Sequence, residues 1–70
     1  MVKVGQRVRF IPFWNTNAFD TEKTKRAKTV TGVVTIVNYK HRVFWCEYEF
    51  NGVRQIETFN FSDIGVTVSV

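Results

Sequence analysis

Residues 29–37, TVTGVVTIV, contain eight β-branched residues and a single glycine. Side chains branched at Cβ lose rotamer freedom in a helix and pack well on a pleated surface. The tract therefore reads as a strand, with Gly32 marking a bend or the close approach of another backbone. A strand this apolar needs partners, and four more tracts supply them. Residues 5–11 (GQRVRFI) alternate, with Val8 and Phe10 on one side and Arg7 and Arg9 on the other. Pro12 has no N–H for a ladder and ends that strand. Residues 43–50 (VFWCEYEF) follow a short polar turn over 38–42, residues 54–61 return from Asn51-Gly52, and residues 66–70 follow Gly65. Five short strands without a long helix, in one 70-residue domain spanning 1–70, predict an all-β fold closed or nearly closed into a small barrel.

The Asn51-Gly52 hairpin admits two registers. A two-residue loop pairs Phe50 with Val53 and sets Cys46 opposite Glu57. A three-residue loop pairs Cys46 with Ile56 and Trp45 with Glu57. A slip by one residue exchanges the faces of a strand, so segregation of apolar side chains selects between them. The three-residue loop gathers Phe44, Cys46, Tyr48 and Ile56 on one face, with Trp45 outward, and is the predicted register.

Stability has to come from packing. Cys46 is the single cysteine, which excludes an internal disulfide and fits a reducing cytoplasm, and His41 is the single histidine, which excludes a structural zinc site. Eleven aromatic residues supply the buried area instead. Lys3, Arg7 and Arg9 interrupt every early apolar run, so neither a signal peptide nor a membrane span is expected.

The segment 11–30, IPFWNTNAFDTEKTKRAKTV, fits no strand pattern and is expected to be a long loop between the first two strands. A short helix capped by Asp20, with Glu22 supporting Arg26, is one form it could take.

This order of elements resembles an SH3-like small barrel of the KOW and Tudor-like kind. VGQRVRFI is similar to the first strand of that family, TVTGVVTIV to its second, EFNGVRQIETF to its distal hairpin, and NFSDIGVTV to the 3₁₀ turn feeding its fifth strand. The resemblance implies five strands and a ligand surface built from the loops after strands 1 and 2 with nearby aromatics. The chain also resembles small barrels encoded by phages of Gram-positive hosts, which implies no activity.

Catalysis finds no support. There are no paired carboxylates in a cleft, no phosphate-cradling loop and no metal-ligand spacing, and a lone core-facing cysteine is ordinarily inert packing. No enzyme and no cofactor are expected. Charge is more informative: residues 1–42 carry nine Lys/Arg against Asp20 and Glu22, whereas residues 43–70 carry Arg54 against Glu47, Glu49, Glu57 and Asp63. Such asymmetry points to a polyanion-facing side. In the long loop, Phe13 and Trp14, with Phe19, offer stacking faces, and Lys23, Lys25, Arg26 and Lys28 offer phosphate partners. Tyr39, Lys40 and Arg42 repeat the mixture in the second loop. The first expectation is therefore a non-catalytic barrel binding RNA or single strands through these residues. The alternative is a protein-interaction module, such as an inhibitor or adaptor meeting an acidic partner, anchored on Trp14, Tyr39 and Trp45. Phe13 and Phe19 could equally lid the barrel, and the lysines could form a solvated face. The expected state is a monomer or weak self-association.

Overall fold

The computed structural model describes residues 2–12 and 29–70. Five strands, β1 (Arg7–Phe10), β2 (Val30–Asn38), β3 (Val43–Phe50), β4 (Val53–Asn60) and β5 (Val68–Ser69), form one sheet in the order β4-β3-β2-β1-β5. Every pairing of neighbours is antiparallel. A 3₁₀ turn, Phe61–Asp63, connects β4 towards β5, and the Asn60 N–H donates to Asp63 Oδ2 at 2.9 Å. The fold is all-β. The possible helix at Asp20 falls outside the described residues.

Closure is where the expectation needs correcting. The ladder does not run round to join itself, and β4 and β5 are its two edges among the described residues. The sheet is nevertheless strongly curled. Phe10 on β1 meets Phe59 on β4 with ring centroids 4.8 Å apart. In a flat sheet three strand spacings, about 14 Å, would separate them. The curl wraps a core of Val2, Val8, Phe10, Val34, Phe44, Cys46, Tyr48 and Val68, all buried. Val30, Val37, Phe59, Phe61 and Ile64 pack around it.

Two end strands are shorter than the sequence suggested, because turns take their residues. Gly5, at φ +90°, turns the chain so that the Gln6 N–H donates to the Lys3 carbonyl at 3.1 Å. The Gln6 side chain answers by accepting from the Lys3 N–H at 3.0 Å. At the other terminus the Val66 and Thr67 N–H groups both donate to the Asp63 carbonyl, and β5 begins only at Val68.

The hairpin register also needs correcting. The loop has two residues: Phe50 pairs with Val53, Trp45 with Thr58, Cys46 with Glu57 and Glu47 with Ile56. Asn51 at φ 52° and Gly52 at φ 78° both adopt the left-handed conformation that a tight type I′ turn demands. Turn chemistry has overridden apolar segregation. Glu57 therefore sits on the core side beside Cys46, while Ile56 is turned outward and stands 59% exposed. Trp45 keeps its outward place, because alternation within β3 between buried Phe44 and Cys46 fixes it whichever register β4 adopts.

Candidate interaction surfaces

Two regions stand out, one foreseen and one not. The foreseen region is the turn between β2 and β3. Lys40, His41 and Arg42 are exposed there, and Tyr39 is 55% exposed. The turn is held in shape: the His41 N–H donates to Asn38 Oδ1 at 3.0 Å, and the Arg42 carbonyl accepts from the Phe61 N–H at 2.9 Å. Arg42 itself adopts φ 58°. The Tyr39 hydroxyl donates to the Val2 carbonyl at 3.1 Å and its ring stands edge-on to Phe61 at 5.9 Å. Tyr39 thus ties the N-terminal segment down and brings Lys3 to the same end as Lys40 and Arg42. Its exposed ring face remains open to a ligand.

Phe13, Trp14, Phe19, Lys23, Lys25, Arg26 and Lys28 lie outside the described residues. Their segment leaves β1 and enters β2 at the end of the sheet that also carries Asn51-Gly52. The Tyr39–Arg42 turn is at the opposite end of β2, nine residues away, or roughly 30 Å along the strand.

The other region is the outer face of the sheet, away from the core, unforeseen except for Trp45, which the sequence places outward as an anchor. Ile36 on β2 is paired with Trp45 on β3, and Trp45 with Thr58 on β4. A bulge between Val34 and Ile36 keeps Ile36 on this side, and it is 55% exposed. One row further along, Arg7, Val33, Glu47 and Ile56 lie abreast across β1, β2, β3 and β4. Val33 and Ile56 are exposed, Trp45 half-buried. Arg54 Nε sits 3.2 Å from Glu47 Oε1, an exposed pair contributing at most about 1 kcal/mol. A hollow of about 500 Å³ opens on the same face, lined by Thr31, Val33, Glu47, Glu49 and Arg54 among others. The sequence did carry a signal for this surface, in Asn51-Gly52: its two-residue register is what turns Ile56 outward.

Cys46 is fully buried, and burial, followed by the Glu57 carboxylate opposite, raises its thiol pKa from 9.0 to about 11. The thiol is held protonated and away from solvent, so it is packing. This has a consequence for stability. The unfolded chain loses its thiol proton near pH 9.0 and the folded chain only near 11. Between those values the unfolded state binds fewer protons, so stability falls as pH rises, by up to about 2–3 kcal/mol, and then levels. Urea unfolding across that window should show the loss in the wild type and not in Cys46→Ala. Equal slopes in both proteins would refute the assignment.

Among the described residues no helix is long and apolar enough to cross a membrane, and no three His, Cys, Asp or Glu side chains group as metal ligands. No family model, curated protein or solved structure matches the chain.

Proposed function

We propose that the chain is a non-catalytic protein-interaction domain that docks through the outer face of its sheet. One observation carries this reading: Ile56 is exposed while Glu57 is turned inward beside Cys46, so the hairpin sends its apolar side chain to solvent. With Val33, Ile36 and Trp45 it makes an apolar face bordered by charge, the composition of a docking patch. The strand order, the tight β3–β4 hairpin and the 3₁₀ turn before β5 support an SH3-like small-barrel lineage for the scaffold.

A second reading rests on the Tyr39–Arg42 end. Lys3, Lys40 and Arg42 surround an exposed tyrosine ring there, an arrangement suited to RNA or single strands, with the long-loop cations as further phosphate partners. The two readings separate by photo-crosslinking in the native host, with a photoreactive residue placed at Ile36 or at Lys40. The first expects a discrete protein adduct of constant mass at position 36. Nucleic-acid adducts at position 40, with none of any kind at 36, would overturn the first reading and establish the second.

A further inference from the structure

Resting on the protein-docking reading, we propose that the partner on the outer face is a second copy of this chain, docked face to face about a two-fold axis running along β2. The argument starts from the order of charges across the sheet. Arg7 is paired with Val33, and Val33 with Glu47. Arg9 is paired with Thr31, and Glu49, two residues beyond Glu47 on β3, is paired with Arg54 of β4. The outer face therefore reads positive on β1, neutral on β2 and negative on β3, with Arg54 on β4 partly offsetting the β3 carboxylates.

A two-fold axis lying in the interface along β2 exchanges the strands on either side of it. It sets β1 of one copy over β3 of the other and keeps each row level. Arg7 comes over the partner's Glu47, Arg9 over the partner's Glu49, and the symmetric pairs form at once. The exposed Val33 and Ile36 of the two copies meet on the axis. Such self-complementarity is what an isologous interface requires of one patch. It also excludes the reversed arrangement, in which β1 meets β1 and like charges oppose.

Within one chain these charges do not satisfy one another. Arg7 and Glu47 are separated by two strand spacings, about 10 Å. Among the described residues Glu47 pairs with Arg54, while Arg7 and Glu49 have no ion-pair partner. The hollow at Thr31, Val33, Glu47 and Glu49 also takes in Arg54, which is bonded to Glu47, so Glu49 is the carboxylate it leaves for an opposing arginine. Flat aligned sheets pack about 10 Å apart, and on this convex face the gap widens from the axis towards β1 and β3, so the Arg and Glu side chains must be extended to meet. The exposed surface of the chain totals 5439 Å². A patch of roughly a tenth of that lies at the low end of specific interfaces, so a dimer in exchange with monomer is expected.

The test is sedimentation equilibrium of the full chain from micromolar to millimolar concentration, with two charge-reversed variants. Arg7→Glu/Arg9→Glu makes β1 and β3 both acidic; Glu47→Arg/Glu49→Arg makes both basic. Each alone should self-associate at least about a hundredfold more weakly than wild type, because like charges then face each other. Mixed together they should form a heterodimer within about tenfold of the wild-type affinity, since every opposed pair is again complementary. Val33→Lys, which places two ammonium groups on the axis and changes a single exposed side chain, gives an independent loss should a double variant fail to fold. A wild-type chain that stays monomeric at millimolar concentration overturns the proposal, as does an equimolar mixture of folded variants that fails to associate. The docking reading is judged separately, by the adduct at position 36. A discrete adduct whose mass is not that of two chains would retain docking and remove the second copy.

Discussion

Replacing Phe10 by alanine should leave the protein largely unfolded without any denaturant. Phe10 is 1% exposed and its ring meets Tyr48 at 5.4 Å and Phe59 at 4.8 Å, both edge-on. Truncating a buried phenylalanine removes about 3–5 kcal/mol. A chain of this length has about 4–10 kcal/mol in total, from about 0.05–0.15 kcal/mol per residue, so one substitution removes much or all of it. The loss should also be larger than the mean for its size. Phe10 reaches from β1 to β4, two strands that share no ladder, so the curl of the sheet depends on it as well as the core. Near-ultraviolet circular dichroism with urea titration would measure this. A loss below about 1 kcal/mol would mean that the curl is held by other contacts.

Gly32→Val is expected to be as damaging, for the opposite reason. A Cβ at Gly32 would lie 2.9 Å from Phe10 Cε1 and 3.0 Å from the Glu47 backbone oxygen. The ring could shift by a few tenths of an ångström, but the carbonyl belongs to the β2–β3 pairing and cannot retreat without loosening it. Gly32→Ala should therefore lose about 1–3 kcal/mol, an overpacking effect that outweighs the smaller entropic gain from removing a glycine. Valine adds two methyl groups against the same ring and should prevent folding. The mechanism predicts coupling between the two sites. In Phe10→Leu/Gly32→Ala the losses should fall short of additive by about 0.5 kcal/mol or more, because the smaller side chain yields the space. Strict additivity would place the strain at the Glu47 carbonyl alone.

These two residues also show what was readable in the sequence. Gly32, isolated in a β-branched run, signalled a bend or a close approach of another backbone, and the Glu47 carbonyl supplies the second. Alternation in GQRVRFI placed Val8 and Phe10 inward and the arginines outward, as they are found. The hairpin defeated the same style of reasoning, since two local signals conflicted there. Apolar segregation favoured one register and Asn51-Gly52 the other, and a two-residue turn with both φ angles positive is the more exacting demand. From that single slip follows the apolar character of the outer face, because the predicted register puts Ile56 in the core. Curl without closure was not readable either, since the ladder at β4 and β5 depends on turns at Gly65 and Asp63 that shorten the last strand. The binding residues proposed for the long loop fall outside the described residues. Of the rest, Tyr39 has a structural duty at Val2 that no local pattern announced.

The burial of Cys46 has a use beyond packing. It is the single thiol in the chain, it lies on β3 with a ladder on either side, and it is fully shielded. An alkylating reagent can reach it only when the strands around it part. Labelling speed in the native protein is thus a clock for opening events, counting how often the middle of the sheet comes undone. Read at several reagent concentrations, the same thiol would separate how deep that opening lies from how fast it recloses. The molecule carries its own reporter of breathing, with no dye or tag added.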